Sequence, residues 1–522
     1  MTALIYEIIW IRPLSLVFGT TIYAVSTIVA SFIFGLSVGS WIASRYTDRM
    51  KNPLKFFAFV HLGIAFFGLL LLPIFSNLPG LYLEIYKATT PNEILFMFTQ
   101  ILMSMAMISL PAALMGSTLP LMMKTYSKQF TTIGKDVGKL DASNSLGAMF
   151  GTLAAGFLMI PLLGIETSIV VTALINVGIG ISILATKKYI KYRYLAIVIA
   201  VIVILFFLLS SYDYQTLNTG IFYLRNFFPD ITSIDKYVAL ERVVFFKDSL
   251  YSSIMVSDNT YTGTKVLKIN GKIQCNNSPR TVTGVENLAK FPYELYEYNY
   301  GKPNNALNIG LGCGITSNWL SEKVDTTTVE IDPVIVEAAK NFYPNIDHNL
   351  VIDDGRNWLL RNDVKFDLIT TEPSDPFQNQ GSLFTREFFS LLNSRLSENG
   401  VVSQWVPLFE MTLDDLNIFY NTFHDVFPFV YVYLMEERNV GQLVFVGSQK
   451  ELKIKENLFY LHSQNDIPLV ETEMNTDDRP IIEFTSIFNI GNPNHDEELE
   501  KIKQEWSISI PEEEVILDII VT

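Results

Sequence analysis

The first two hundred residues are written in long apolar runs. A helix needs roughly 20 apolar residues to cross the hydrocarbon core of a bilayer, and runs of that kind predict spans at about 3–18, 21–43, 54–76, 93–115, 142–163, 166–186 and 193–211. So many spans in succession argue against a cleaved signal peptide at the short first one. The fifth contains "SLGAMFGTLAAGF", whose small residues suit close helix packing. Beyond residue 212 the period changes. "SSIMVSDN" and "TKVLKING" alternate apolar and polar positions around a turn-like "NTYTG", which predicts a β-hairpin that "KIQCNN" closes. From Ala306 the pattern becomes strand, Gly-rich loop, helix, strand ("ALNIGLGCGITSNWL", then "TTTVEID"), a βαβ unit of a doubly wound sheet. The expected organisation is a transmembrane helical domain of about seven spans over 1–212, a linker and small β-rich domain over 213–303, and a Rossmann-like nucleoside-binding domain with a C-terminal extension over 304–522.

Charge sharpens that division. Residues 1–212 hold 14 Lys and Arg against 7 Asp and Glu, a balance of +7; within a total of −15, residues 213–522 carry −22. The acidic half mildly favours a cationic substrate, although a solvated acidic surface accounts for it equally, and the chain makes no case for nucleic acid as a partner. Glu7 and Arg12 lie in or at the edge of the first span, where a charge is either functional or an interfacial, paired structural one. Five scattered His show no metal-ligand spacing, and two Cys imply no pairing.

The candidate chemistry collects at strand ends. Gly310, Gly312 and Gly314 follow a strand and open a helix, where small residues let a ligand approach backbone amides. Glu330 ends the next strand, at the position where an acid accepts ribose hydroxyls. "LVIDDGRNWL" puts Asp353 and Asp354 at another strand end, able to accept from an adenine amine. "FDLITTEPSDP" adds Glu372 and Asp375 on a loop stiffened by prolines. In open α/β sheets ligands bind beyond the carboxyl ends of the strands, so the four segments address one crevice, suited to a nucleoside.

These stretches, "ALNIGLGCG", "TTVEIDPVIVEAAKNF", "VIDDGRNWL" and "FDLITTEPSDPFQNQGSLFTREFFSLLNSRLSENGVVSQW", resemble the polyamine aminopropyltransferases, the spermidine synthases. With "LIYEIIWIRPLSLVFGTTIYAVSTI", "MGSTLPLMMK", "ASNSLGAMFGTLAAGFLMIPLLG" and "NTDDRPIIEF", nearly the whole chain resembles bacterial proteins that fuse a multi-span membrane domain to such a domain. The resemblance implies an α/β Rossmann-like fold of the S-adenosylmethionine-methyltransferase type behind a small β-hairpin domain, in an inner-membrane protein. It implies that Glu330 holds the ribose of decarboxylated S-adenosylmethionine, that Asp354 lies at the adenine, and that Gln274 contacts the nucleoside side of the cleft. It also implies that Asp375 holds a small cationic amine and that Glu372 stands where the family has an Asp base. No metal is implied, and a homodimer is compatible with it.

Two departures stand out. Cys313 occupies the place of an acid that would pair with the aminopropyl amine, which opens the pocket to ordinary S-adenosylmethionine. Gly284 and Val285 replace polar residues that contact the amine substrate. Three functions follow: aminopropyl transfer to a polyamine, methyl or alkyl transfer from S-adenosylmethionine to another amine or membrane-associated substrate, or a nucleoside-sensing transporter or regulator without chemistry. The nucleoside is cytosolic, which predicts a cytoplasmic second half. Yet Arg45, Arg49, Lys51 and Lys55, then Lys124, Lys128, Lys135 and Lys139, then Lys187, Lys188, Lys191 and Arg193 follow alternate spans, and with seven spans the positive-inside rule puts the second half outside. A segment broken at Pro111 and Pro120, or a failed span at 193–211, would restore a cytoplasmic location.

Overall fold

The computed structural model describes residues 1–89, 93–126, 133–187, 212–223, 233–346, 348–373, 380–408, 411–435, 442–454, 461–463, 470, 472–485, 501 and 506. They form two units. The first comprises residues 1–239 with 247–253 and 270–272; the second comprises 240–246, 254–269 and the chain from 273 onward.

The first unit is helical: α1 (Thr2–Phe18), α2 (Ile22–Thr47), α3 (Pro53–Thr89), α4 (Glu93–Tyr126), α5 (Ile133–Ala154) and, after a π-helical turn, α6 (Ile160–Thr186). By length and composition, Ile22–Thr47, Pro53–Thr89, Leu95–Tyr126 and the continuous stretch Gly134–Thr186 suffice to cross a membrane. That last stretch is two helices that run in opposite directions. Gly164 leaves the helix with φ 76° and ψ 174°. A straight helix would separate Gly151 from Asn176 by about 37 Å at 1.5 Å per residue. Yet a Cβ at Gly151 would lie 2.5 Å from the Met1 carbonyl oxygen, and the Thr2 hydroxyl donates to Asn176 Oδ1 at 3.2 Å. The chain therefore reverses at Gly164.

The expected break in "SLPAALMGSTLPLMM" is corrected: α4 runs through Pro111 and Pro120 as one helix, as proline-containing helices in membranes do when neighbouring groups take up the freed carbonyls. The candidate span 193–211 lies outside the described residues. Helices α2 and α4 run parallel at backbone contact. The Ser109 hydroxyl donates to the Ser31 carbonyl at 3.2 Å, Asp48 pairs with Lys124 at 3.5 Å, and a Cβ on Gly39 would meet the Ala113 carbonyl oxygen at 1.8 Å. The Arg12 guanidinium donates to the carbonyls of Leu250 at 2.5 Å and Ser249 at 3.5 Å.

The second unit holds two sheets. The smaller takes the sequential order β1 (Glu241–Asp248), β2 (Ser253–Asn259), β3 (Lys265–Ile269), β4 (Lys272–Asn276). The β2–β3 hairpin turns at "NTYTG" as its alternation predicts, with Val256 opposite Leu267. Strand β1, "ERVVFFKD", was not anticipated. The larger sheet contains β5 (Asn305–Ile309), β6 (Asp325–Glu330), β7 (Asn349–Ile352), β8 (Phe366–Thr371), β9 (Leu396–Pro407), β10 (Phe429–Met435), β11 (Gln442–Ser448) and β12 (Leu461–Ser463). Its order is β12-β10-β11-β9-β8-β5-β6-β7, parallel from β7 to β9 and antiparallel beyond. Its central strands are apolar on both faces: Leu307 and Ile369 enter one core with Phe388 and Phe419, while Ala306 and Leu368 enter another with Leu288 and Val446.

Candidate active site

The site follows from register. Ile309 pairs with Val329 on β6 and Thr371 on β8, and Glu330 pairs with Ile352 on β7. Each strand then ends one step from the same row, so Gly310, Glu330, Asp353 and Glu372 leave neighbouring strands together. Backbone hydrogen bonds continue past the strand ends: Gly310 N–H to the Val329 carbonyl at 2.9 Å, Asp353 N–H to the Glu330 carbonyl at 3.0 Å, and Glu372 N–H to the Ile309 carbonyl at 3.2 Å.

The loop after β5 requires its glycines. Gly310, Gly312 and Gly314 have φ of 96°, 51° and 85°, a region that costs other residues strain. A Cβ on Gly310 would lie 3.4 Å from the Glu372 carbonyl oxygen, whereas one on Gly312 would meet nothing within 4 Å, so the loop's middle faces open space.

Glu330 is buried, and its two oxygens accept from different backbone N–H groups, Leu311 at 2.9 Å and Asp332 at 2.9 Å. Burial pushes its pKa up to about 7, against the lowering effect of those N–H donors. With the Ile331 N–H also directed at it, the carboxylate keeps lone-pair capacity for a further hydroxyl donor. Its neighbours on β7 are more engaged. Asp353 pairs with the Arg361 guanidinium. Asp354 caps the helix Gly355–Arg361, accepting from Asn357 N–H at 2.7 Å.

Glu372 is tied to the helix that the Gly-rich loop opens, its Oε2 accepting from the Thr316 hydroxyl at 3.1 Å. Asp375 lies outside the described residues. Gln274, half-buried on β4, precedes a residue the sequence left unassigned: Cys275 is disulfide-bonded to Cys313, with Cα atoms 6.2 Å apart. The bond brings β4, the strand that carries Gln274, and the Gly-rich loop together. Two cysteines 38 residues apart carry no sequence signal for this pairing. Gln404 was also missed. It is fully buried opposite Thr371, hydrogen-bonds that hydroxyl, and leaves its side-chain nitrogen without a partner among the described residues. Gly284 and Val285 are buried in the helix Pro279–Tyr300. Among the described residues no group of His, Cys, Asp and Glu could hold a metal.

A doubly wound sheet with carboxylates at three adjoining strand ends and a glycine loop at the fourth, between them, defines a Rossmann-like transferase domain. Residues 286–457 match the spermine/spermidine synthase domain. The chain is 27% identical over 210 residues to the polyamine aminopropyltransferase of Buchnera aphidicola subsp. Schizaphis graminum, covering 37% of this chain and 71% of that protein. It is 30% identical over 183 residues to the polyamine aminopropyltransferase of Thermoplasma volcanium, covering 30% and 65%, and 30% identical over 186 residues to the spermidine synthase of Dictyostelium discoideum, covering 32% and 63%. The chain thus spans less than two thirds of the length of those last two. The crystal structure of spermidine synthase from Thermotoga maritima aligns with a TM-score of 0.36 at 20% identity, covering 51% of this chain and 88% of that one. Residues 286–457 thus resemble the spermine/spermidine synthase domain, and the matched relatives are aminopropyltransferases.

Proposed function

We propose that the protein is a membrane-bound aminopropyltransferase that moves an aminopropyl group from decarboxylated S-adenosylmethionine to a small cationic amine. The observation that carries this reading is the pair of carboxylates flanking the glycine loop, Glu330 on one side and Glu372 on the other, within a domain of this family. The donor set fits the nucleoside. Glu330 has capacity for a ribose hydroxyl, Gly312 leaves room at the loop, and Asp354, although it caps a helix, keeps a second oxygen for an exocyclic amine. The nucleoside supplies a carbon activated by a sulfonium. Glu372 orients the incoming amine and accepts its proton, since an amine protonated near neutrality has no lone pair to attack with. The Thr316 hydroxyl fixes that carboxylate, offsetting the longer Glu arm where the family has Asp. Asp375 is assigned to the distal charge of the amine.

A second reading, alkyl transfer from S-adenosylmethionine itself, is favoured by one observation: Cys313 is bound to Cys275 and offers no carboxylate to an aminopropyl amine. Calorimetric titration of the detergent-solubilised full chain with each nucleoside separates the two. Tighter binding of the decarboxylated form, with transfer to a diamine, supports the first; preference for S-adenosylmethionine supports the second. Binding of neither removes the nucleoside site.

A further inference from the structure

Two features that belong to no catalytic step point to the side of the membrane on which the second half works. The first is the distribution of basic residues over the helical unit. Arg45, Arg49, Lys51 and Lys55 surround the α2–α3 turn, Lys124, Lys135 and Lys139 flank the α4–α5 connection, and Lys187 ends α6. The packing gathers all three places at one end. The Asp48–Lys124 pair brings the ends of α2 and α4 together. Gly180 of α6 packs on the Ala58 carbonyl and Leu62, near the start of α3, and one turn earlier Asn176 meets His61 at 2.7 Å. Hence α6 also ends where α3 begins.

The other end is different in kind. There the backbone N–H of Asp213 donates to Ser76 at 2.8 Å, Arg12 holds the carbonyls of Ser249 and Leu250, and Asp248 accepts from Ile165 N–H at 3.1 Å, at the Gly164 reversal. Both the linker at 213 and the β1–β2 loop therefore emerge at this end. Its turns at 19–21 and 163–166 contain no Lys or Arg; Arg12 is engaged with carbonyls, and Lys87 pairs with Glu84 at 3.6 Å. Loops rich in Lys and Arg stay in the cytoplasm, so the end at which the chain leaves the helical unit faces away from it.

The second feature is the Cys275–Cys313 bond, which accounts for every cysteine in the chain. Disulfides form and persist in oxidising compartments and are rare in the cytosol. Charge and thiol chemistry are independent, and they agree. We infer that the transferase half stands on the extracytoplasmic face, where Cys275–Cys313 forms and holds the glycine loop to β4.

The inference rests on reading the helices as membrane spans, and the test separates the two. Lys302→Cys, exposed in the second half, and Lys139→Cys, exposed at the basic end, are made in the full chain and treated in intact cells with a membrane-impermeant maleimide. Labelling of position 302 without lysis, with 139 labelled only after lysis, is the expected result. The reverse pattern overturns the orientation while leaving the spans; equal behaviour at both positions overturns the placement of the two positions on opposite faces, and with it the inference. The same pair in a Cys275→Ser/Cys313→Ser background excludes thiol exchange as the cause of any labelling. Alkylation of the unmodified protein, trapped at harvest, is expected to add nothing before reduction and two groups after it; two groups before reduction would remove the disulfide from the argument.

Discussion

At the scale of residues, the proposed function divides the work between Glu330 and Glu372. Glu330 titrates near 7 because it is buried, and its folded value lies above the ordinary carboxylate value. It therefore carries a proton below about pH 7 and must lose it to accept a hydroxyl. Nucleoside affinity should rise with pH up to about 7 and then level, falling roughly tenfold per unit on the acid side. Titrations between pH 5.5 and 8.5 check this, and Glu330→Gln should flatten the profile. A profile that stays sloped in that variant would assign the proton to another group. Glu330→Ala should lose about 1.5–3 kcal/mol of binding, the value of a hydrogen bond to a charged acceptor. Glu372→Gln should leave nucleoside affinity within about threefold while lowering transfer by roughly 10²–10⁴, the usual contribution of a positioned base. Single-turnover rates beside calorimetry distinguish the two effects.

At the scale of elements, the clearest contact is between α2 and α4. A side chain at Gly39 has no room beside the Ala113 carbonyl, while one at Gly80 meets nothing within 4 Å. Gly39→Val should therefore lower the melting midpoint in detergent by an amount worth at least about 1–3 kcal/mol, and Gly80→Ala should be near neutral. The sequence made such elements legible wherever one period dominated. Apolar runs located the helices of the first unit, alternation found the β2–β3 hairpin, and strand–loop–helix punctuation found β5 and its glycines. The acids at the ends of β6, β7 and β8 were readable because a doubly wound sheet gathers them by rule. What escaped was non-local. The Cys275–Cys313 bond joins two domains of the sequence reading, Gln404 acquires meaning only opposite Thr371, and strand β1 mixes charged and apolar residues without clean alternation. The prolines of α4 misled because they break soluble helices more readily than membrane ones.

At the scale of the whole molecule, the two units share chain in a way a linear division misses. Residues 247–253 and 270–272, turns of the small sheet, belong to the helical unit. A protein cut at residue 213 would leave those turns without their packing, and Asp248 without the Ile165 N–H. Its melting midpoint should fall below that of the transferase half in the full chain, measured by differential scanning calorimetry; an unchanged midpoint would make the shared turns energetically idle. The disulfide has a further bearing, on the order of events during synthesis. Both cysteines follow every candidate span in the chain, so on that orientation the helices would enter the bilayer before the sheet exists. A domain delivered across the membrane as an extended polymer pairs its parallel strands afterwards, and such non-local pairing is slow. On the orientation inferred above, oxidation of Cys275 and Cys313 would close the loop after passage, so that the bonded state would be a chemical record that a given molecule has completed its crossing.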